Sequence, residues 1–246
     1  MRASSLVLAA LLLAACGPSP GTRGPGPIEH KPPPDDPRRP SAGPDDGMEV
    51  EGMQGTLDDD EVARVVSEQM AGFRNCFRRA PGAFVAGEVL LQFVVAPNGR
   101  VDKVWVAQSD LGSWAVEDCL VQTARFLEFP RPMGGGPARF VFPFGWNERA
   151  RRLTAPIDEA WGYETLRKGR GAIDACREQH GFAGPFHVTA YVGRKGHVMS
   201  AGLHAPKPAG DFAACAVTAL GEMGFPNPGS RIVKYQALVE DLPDAP

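Results

Sequence analysis

Between residues 57 and 146 the apolar positions follow two periods. Val62, Val65, Val66, Met70, Phe73 and Phe77 recur at three- and four-residue intervals, which predicts one amphipathic helix. Asp58, Asp59, Asp60 and Glu61 place negative charge at its start, where the helix dipole favours it. The period then drops to two. Val89, Leu91, Phe93 and Val95 alternate with Glu88, Leu90, Gln92 and Val94, and Pro97-Asn98-Gly99 follows as a tight turn, since Asn and Gly accept positive φ at little cost. A return strand spans 101–109. Ser113 is placed to cap a helix running to about 127, with Val116, Leu120 and Leu127 inside and Pro130 beyond its end. Phe140, Phe142, Phe144 and Trp146 alternate along a third strand.

The second half repeats the order with a weaker beginning. Gly162, Gly169 and Gly171 interrupt the first helical pattern, each costing about 1 kcal/mol relative to Ala. The expectation is a broken or kinked helix, secure only over 172–179. Phe186, Val188, Ala190 and Val192 form the next strand, Arg194-Lys195-Gly196 the turn, and 197–204 the return; a helix over 211–223 and a strand over 232–240 complete the copy.

Cysteines mark the repetition. Cys76, Gly99-x-Val101, Cys119 and Phe129-Pro130 correspond to Cys176, Gly196-x-Val198, Cys215 and Phe225-Pro226. Phe-Pro begins ten residues after the second cysteine in both copies. The chain therefore reads as a duplication. Its fold class is α+β: two tandem α-β-β-α-β modules, each a three-stranded antiparallel sheet with two helices on one face. In each copy one cysteine closes the first helix and the other sits one turn inside the second. Helices side by side on one sheet face bring such a pair into disulfide range, so Cys76–Cys119 and Cys176–Cys215 are the expected bonds out of three connectivities. Loops of about forty residues closed this way contribute roughly 4 kcal/mol at most. A four-cysteine zinc site is the competing use, but close Cys-x-x-Cys pairs are absent.

What precedes the modules changes the picture of where they work. Met1-Arg2 is a short positive start, residues 5–15 are small or aliphatic, and Leu13-Ala14-Ala15-Cys16 ends the run. Eleven residues are too few for a bilayer-spanning helix and suit a secretory signal peptide. The ending closely resembles the bacterial lipobox. That resemblance implies cleavage before Cys16, acylation of its thiol and, with Gly17 next, the periplasmic face of the outer membrane. Residues 17–55 hold ten prolines between Pro18 and Pro44 and no aromatic residue. A segment this poor in apolar surface stays extended, with a reach on the order of 100 Å. The expected division is a signal peptide (1–15), a lipidated tether (16–55), module 1 (56–148), a linker (149–156) and module 2 (157–241). Net charge is −3, too near balance to argue for nucleic acid. Cys16 accounts for the odd one among five cysteines, leaving four to pair in an oxidising compartment.

The series Cys, Gly-x-Val hairpin, Cys, Phe129-Pro130-Arg131-Pro132, Gly134-Gly135-Gly136 and Phe142-Pro143-Phe144 resembles the AgmX/PglI C-terminal domain. That domain is abundant in myxobacteria and similar to the TonB C-terminal domain. Copy two keeps Cys176, Gly196-His197-Val198, Cys215 and Phe225-Pro226-Asn227-Pro228, but lacks the triple glycine and the Pro-Phe ending. The resemblance implies a periplasmic protein-interaction module. Catalysis finds little support. His30, His180, His187, His197 and His204 form no paired motif, and no Gly-x-Ser-x-Gly elbow appears. His187, His197 and His204 share one hairpin, where a metal site competes with plain surface histidines. No cofactor and no catalytic residue is expected. The favoured partner is an envelope protein whose extended segment adds as a strand to the edge carrying Phe140, Phe142, Phe144 and Trp146, or to 232–240 in copy two. The alternative is peptidoglycan, held by Arg149, Arg151 and Arg152.

Overall fold

The structure, a computed structural model, describes residues 54–146, 155–156 and 159–240. The expected signal peptide, Cys16, the expected tether up to residue 53 and the arginines at 149, 151 and 152 lie outside the described residues, while Gly55, at the tether's expected end, is bridged to Ala138. All the described residues fall within one contact-sharing unit. Five α-helices and two sheets among the described residues give an α+β fold of two small modules. Among the described residues, no helix is long and apolar enough to cross a membrane.

Module 1 begins with α1 (Asp59–Glu68) and α2 (Met70–Phe77). Asp58 caps α1 by accepting hydrogen bonds from the amides of Asp60 (3.0 Å) and Glu61 (3.3 Å). The single helix expected here is two, because the backbone leaves helical geometry at Gln69 and tightens to i−3 bonds on either side. β1 (Gly87–Val95) and β2 (Val101–Ser109) form the hairpin, α3 (Trp114–Ala124) crosses back, and β3 (Ala138–Trp146) lies on the far side of β1. Strand order is β2-β1-β3.

Module 2 repeats this order after a short strand, β4 (Ala155–Pro156). It comprises α4 (Glu159–His180), β5 (Phe186–Val192), β6 (Val198–His204), α5 (Gly210–Gly221) and β7 (Val233–Val239). Its sheet runs β4-β7-β5-β6, the three antiparallel strands in the same order as in module 1 with β4 added in parallel. The helix expected to break is continuous for 22 residues. Its glycines serve packing: a Cβ on Gly162 would stand 1.9 Å from the Tyr235 ring, and one on Gly169 2.4 Å from Met223. Close approach to the sheet outweighs the propensity cost.

Both expected disulfides form. Cys76 of α2 joins Cys119 of α3, and Cys176 of α4 joins Cys215 of α5, with Cα separations of 5.4 and 5.7 Å. The other repeated signature also has a physical meaning. Gly99 and Gly196 have φ of +87° and +77°, and each accepts at its carbonyl a 2.8 Å bond from the amide of the Phe in Phe-Pro. A Cβ on either would stand 2.1 or 1.6 Å from the same phenylalanine's carbonyl oxygen. Gly-x-Val and Phe-Pro are thus two halves of one backbone clasp, made twice. The hairpin irregularity recurs too, between Val94 and Val95 and between Tyr191 and Val192.

Each module has its own buried cluster, one around Phe73, Leu91, Phe93 and Leu120, the other around Leu166, Ile173, Phe186 and Phe212. They exchange one aromatic each. Tyr191 of β5 belongs to the first cluster, and Trp114 of α3 packs against the second.

Candidate interaction surfaces

β3 is an edge strand, as expected. Its even positions turn towards the helices. Phe144 is fully core, 4.5 Å from the Phe73 ring, while Trp146 stacks on Phe77 at 4.9 Å and Phe140 on Phe93 at 4.8 Å. Such ring pairs contribute about 0.5–1.5 kcal/mol each beyond area burial, so these aromatics hold the sheet down before they can recognise anything. The odd positions Arg139, Val141, Pro143 and Gly145 are exposed, Val141 at 47%.

Pro143 sets the polarity of the edge. Proline has no donor and fits a strand where its nitrogen points away from the neighbour, so the odd-numbered amides of β3 face outward. The 3.1 Å bond from the Gly55 amide to the carbonyl of Pro137, another odd position, agrees. Gly55 bridges the edge only at Ala138. From Val141 on, no strand is paired to this edge among the described residues. Next to its 138–142 end, beside the Gly55 bridge, lies a groove of about 400 Å³ lined by Leu57, Asp59, Val62, Arg139, Phe140 and Phe142. The four aromatics are legible as the strand's apolar face; Pro143 enters the sequence only as part of the Phe142-Pro143-Phe144 motif, and nothing there marks Val141 as shaping the accessible side. The signal was present in Pro143, since a proline within an alternating run marks an edge.

The expected edge in copy two is partly occupied. β4 pairs in parallel with Val233 and Lys234 of β7, because the chain passes along β7 on its way into α4.

The contact between the modules is the most polar part of the interior. Module 1 covers part of the open face of the second sheet, around Thr189, Tyr191 and Gly202. The Tyr191 hydroxyl donates to the Ala86 carbonyl (3.0 Å) and accepts from its amide (3.2 Å), and Ser200 Oγ donates to the Gly112 carbonyl (2.7 Å). Lys234 Nζ bonds the Ala86 carbonyl (3.1 Å) and Asp110 Oδ2 (3.0 Å). At the centre lies Glu117 of α3, completely buried. It accepts from Ser109 Oγ (2.7 Å) and, across the contact, from the Leu203 amide (3.2 Å). Burial pushes its carboxyl up to about 7, against hydrogen bonds from Ser109, Leu203, Ser113 and Gly112 that favour the ionised form. Ser113 stands at the N-cap of α3 as expected, but its hydroxyl makes no capping bond.

Beside this contact opens a cleft of about 620 Å³ lined by Ser109, Asp110, His187, His204, Gln236 and Glu240. His187 and His204 face each other across β5 and β6, rings parallel and 4.6 Å apart. Burial, and secondly the neighbouring His187, pulls His204 down to about 4. His197 stands apart at the turn, against the Arg194 carbonyl. Among the described residues, no group of three or more His, Cys, Asp or Glu is placed to hold a metal ion.

No protein-family profile, curated protein or solved structure matches this chain.

Proposed function

We propose that this chain is a non-catalytic cell-envelope lipoprotein, anchored through an acylated Cys16, whose first module captures an extended segment of an envelope protein by strand addition. The free outer side of β3 carries this reading. It presents outward backbone groups at Val141, Pro143 and Gly145, and a groove with a half-buried aromatic lining adjoins its Val141 end. An added strand would take main-chain bonds from Val141 and Gly145 and the Pro143 carbonyl, and place alternate side chains into the groove. The sequence supports the setting: a lipobox-like ending, a proline-rich tether and paired cysteines all belong to an oxidising envelope compartment. The likeness to AgmX/PglI and TonB C-terminal domains adds an interaction role to the same reading.

The test is a selection of extended peptides on the full chain, repeated with Val141→Pro. That change removes an outward donor at a position where the strand tolerates proline two residues on. Selected peptides should bind the variant at least tenfold more weakly and slow amide exchange at Val141 and Gly145 in the native chain. Equal binding to both proteins would sink strand addition at this edge.

A further inference from the structure

A buried carboxyl with no cation beside it is disfavoured as the carboxylate, because an unpaired charge out of water is costly, whereas hydrogen-bond donors aimed at it favour ionisation. Glu117 is placed that way where the modules meet. It is wholly buried, and Gly202 of β6 makes the room: a Cβ there would stand 2.4 Å from both carboxyl oxygens. The titratable and charged groups around it come from every packed element. Tyr191 on β5 interacts with it directly, and the elements that meet here also carry Asp110 after β2, Asp118 on α3, His204 on β6, His187 on β5, Lys234 on β7 and Asp211 at the start of α5. The cation among them, Lys234, is committed to Asp110 and the Ala86 carbonyl. His204 is itself disfavoured as a cation.

We propose that Glu117 is a pH-sensitive clasp between the modules: as the neutral acid it seals α3 against β6, and once ionised it loosens that contact and widens the adjoining cleft. The closed contact binds the extra proton, since the carboxyl stands at about 7 there and near 4.5 when exposed. Its contribution is therefore complete below pH 4.5 and is lost as pH rises through 7. His204 acts in the opposite sense between pH 6.5 and about 4, so the clasp is isolated by comparing the native chain with Glu117→Gln, in which the histidine remains.

The measurement is amide exchange of Leu203, the donor across the contact, in the full chain between pH 5 and 8 and corrected for intrinsic base catalysis. Protection in the native chain relative to E117Q should fall on the order of tenfold or more over that range. The same pH response in both proteins would overturn the clasp. If E117Q fails to fold, the 13C shift of the native Glu117 carboxyl decides: a midpoint of 6 or above, with Leu203 losing protection over the same range, supports the proposal, and any other result defeats it.

Discussion

Gly99 and Gly196 show how much one residue can determine in this fold. Each needs a left-handed backbone and space beside a phenylalanine carbonyl. Gly99→Ala or Gly196→Ala should cost about 2–4 kcal/mol in urea unfolding, combining left-handed strain with a broken clasp. A cost below 1 kcal/mol would show that the Phe-Pro segment relaxes freely. His204 gives a second prediction at this scale. Its folded-state value is lowered from 6.5 to about 4, so the unfolded chain binds more protons in that window and stability is lost as pH falls from 6.5. His204→Gln should flatten that acid limb of the stability profile; an unchanged limb would place its origin elsewhere. Glu117 was legible in hindsight. It shares a helical stripe with Leu120, Val121 and Ala124, so an acidic residue stood among buried apolar ones. Its charge alone suits a solvated surface, and only its place in that apolar stripe sets it apart.

Strands and their hairpins followed from alternation and turn chemistry, because side-chain direction has a strict period of two and the turn needs particular residues. Helix continuity did not follow. Propensity expected a break in α4 and none at Gln69; packing of Gly162 and Gly169 accounts for the continuity of α4, and nothing in the structure explains the break at Gln69. Gly162→Ala should therefore destabilise the chain by about 1–3 kcal/mol despite the gain in helix propensity, since Tyr235 occupies the space a methyl would need. Thermal unfolding reads this directly, and a stabilised variant would refute the packing account. β4 was illegible because two residues carry no period. The disulfides, in contrast, followed from helix placement. Replacing both cysteines of one pair with alanine should cost about 2–4 kcal/mol, measured by denaturant unfolding against the native chain under oxidising conditions.

At the scale of the whole molecule, the sequence conveyed two modules but not that one would cover the other. Nothing periodic announces an interface assembled from Ala86, Asp110, Gly112 and Glu117 on one side and Tyr191, Ser200, Leu203 and Lys234 on the other. The anchor makes its own prediction. Mass spectrometry of the envelope form should find the chain beginning at an acylated Cys16, and Cys16→Ser should release it from membranes; an unmodified mature N-terminus elsewhere would refute lipidation.

A contact in which one copy's end fits the next copy's open face can in general repeat without limit and grow into a fibre. The hairpin registers show that the two copies are not interchangeable at this joint. Gly202 faces Thr189, and its counterpart opposite Gln92 is Trp105, an indole where an incoming carboxyl would need empty space. At the other end of the chain, the position matching Glu117, counted from the second cysteine, is Ala213. Module 1 therefore has no counterpart of the Gly202 seat and module 2 none of the Glu117 carboxyl, so the joint between the copies has a single direction.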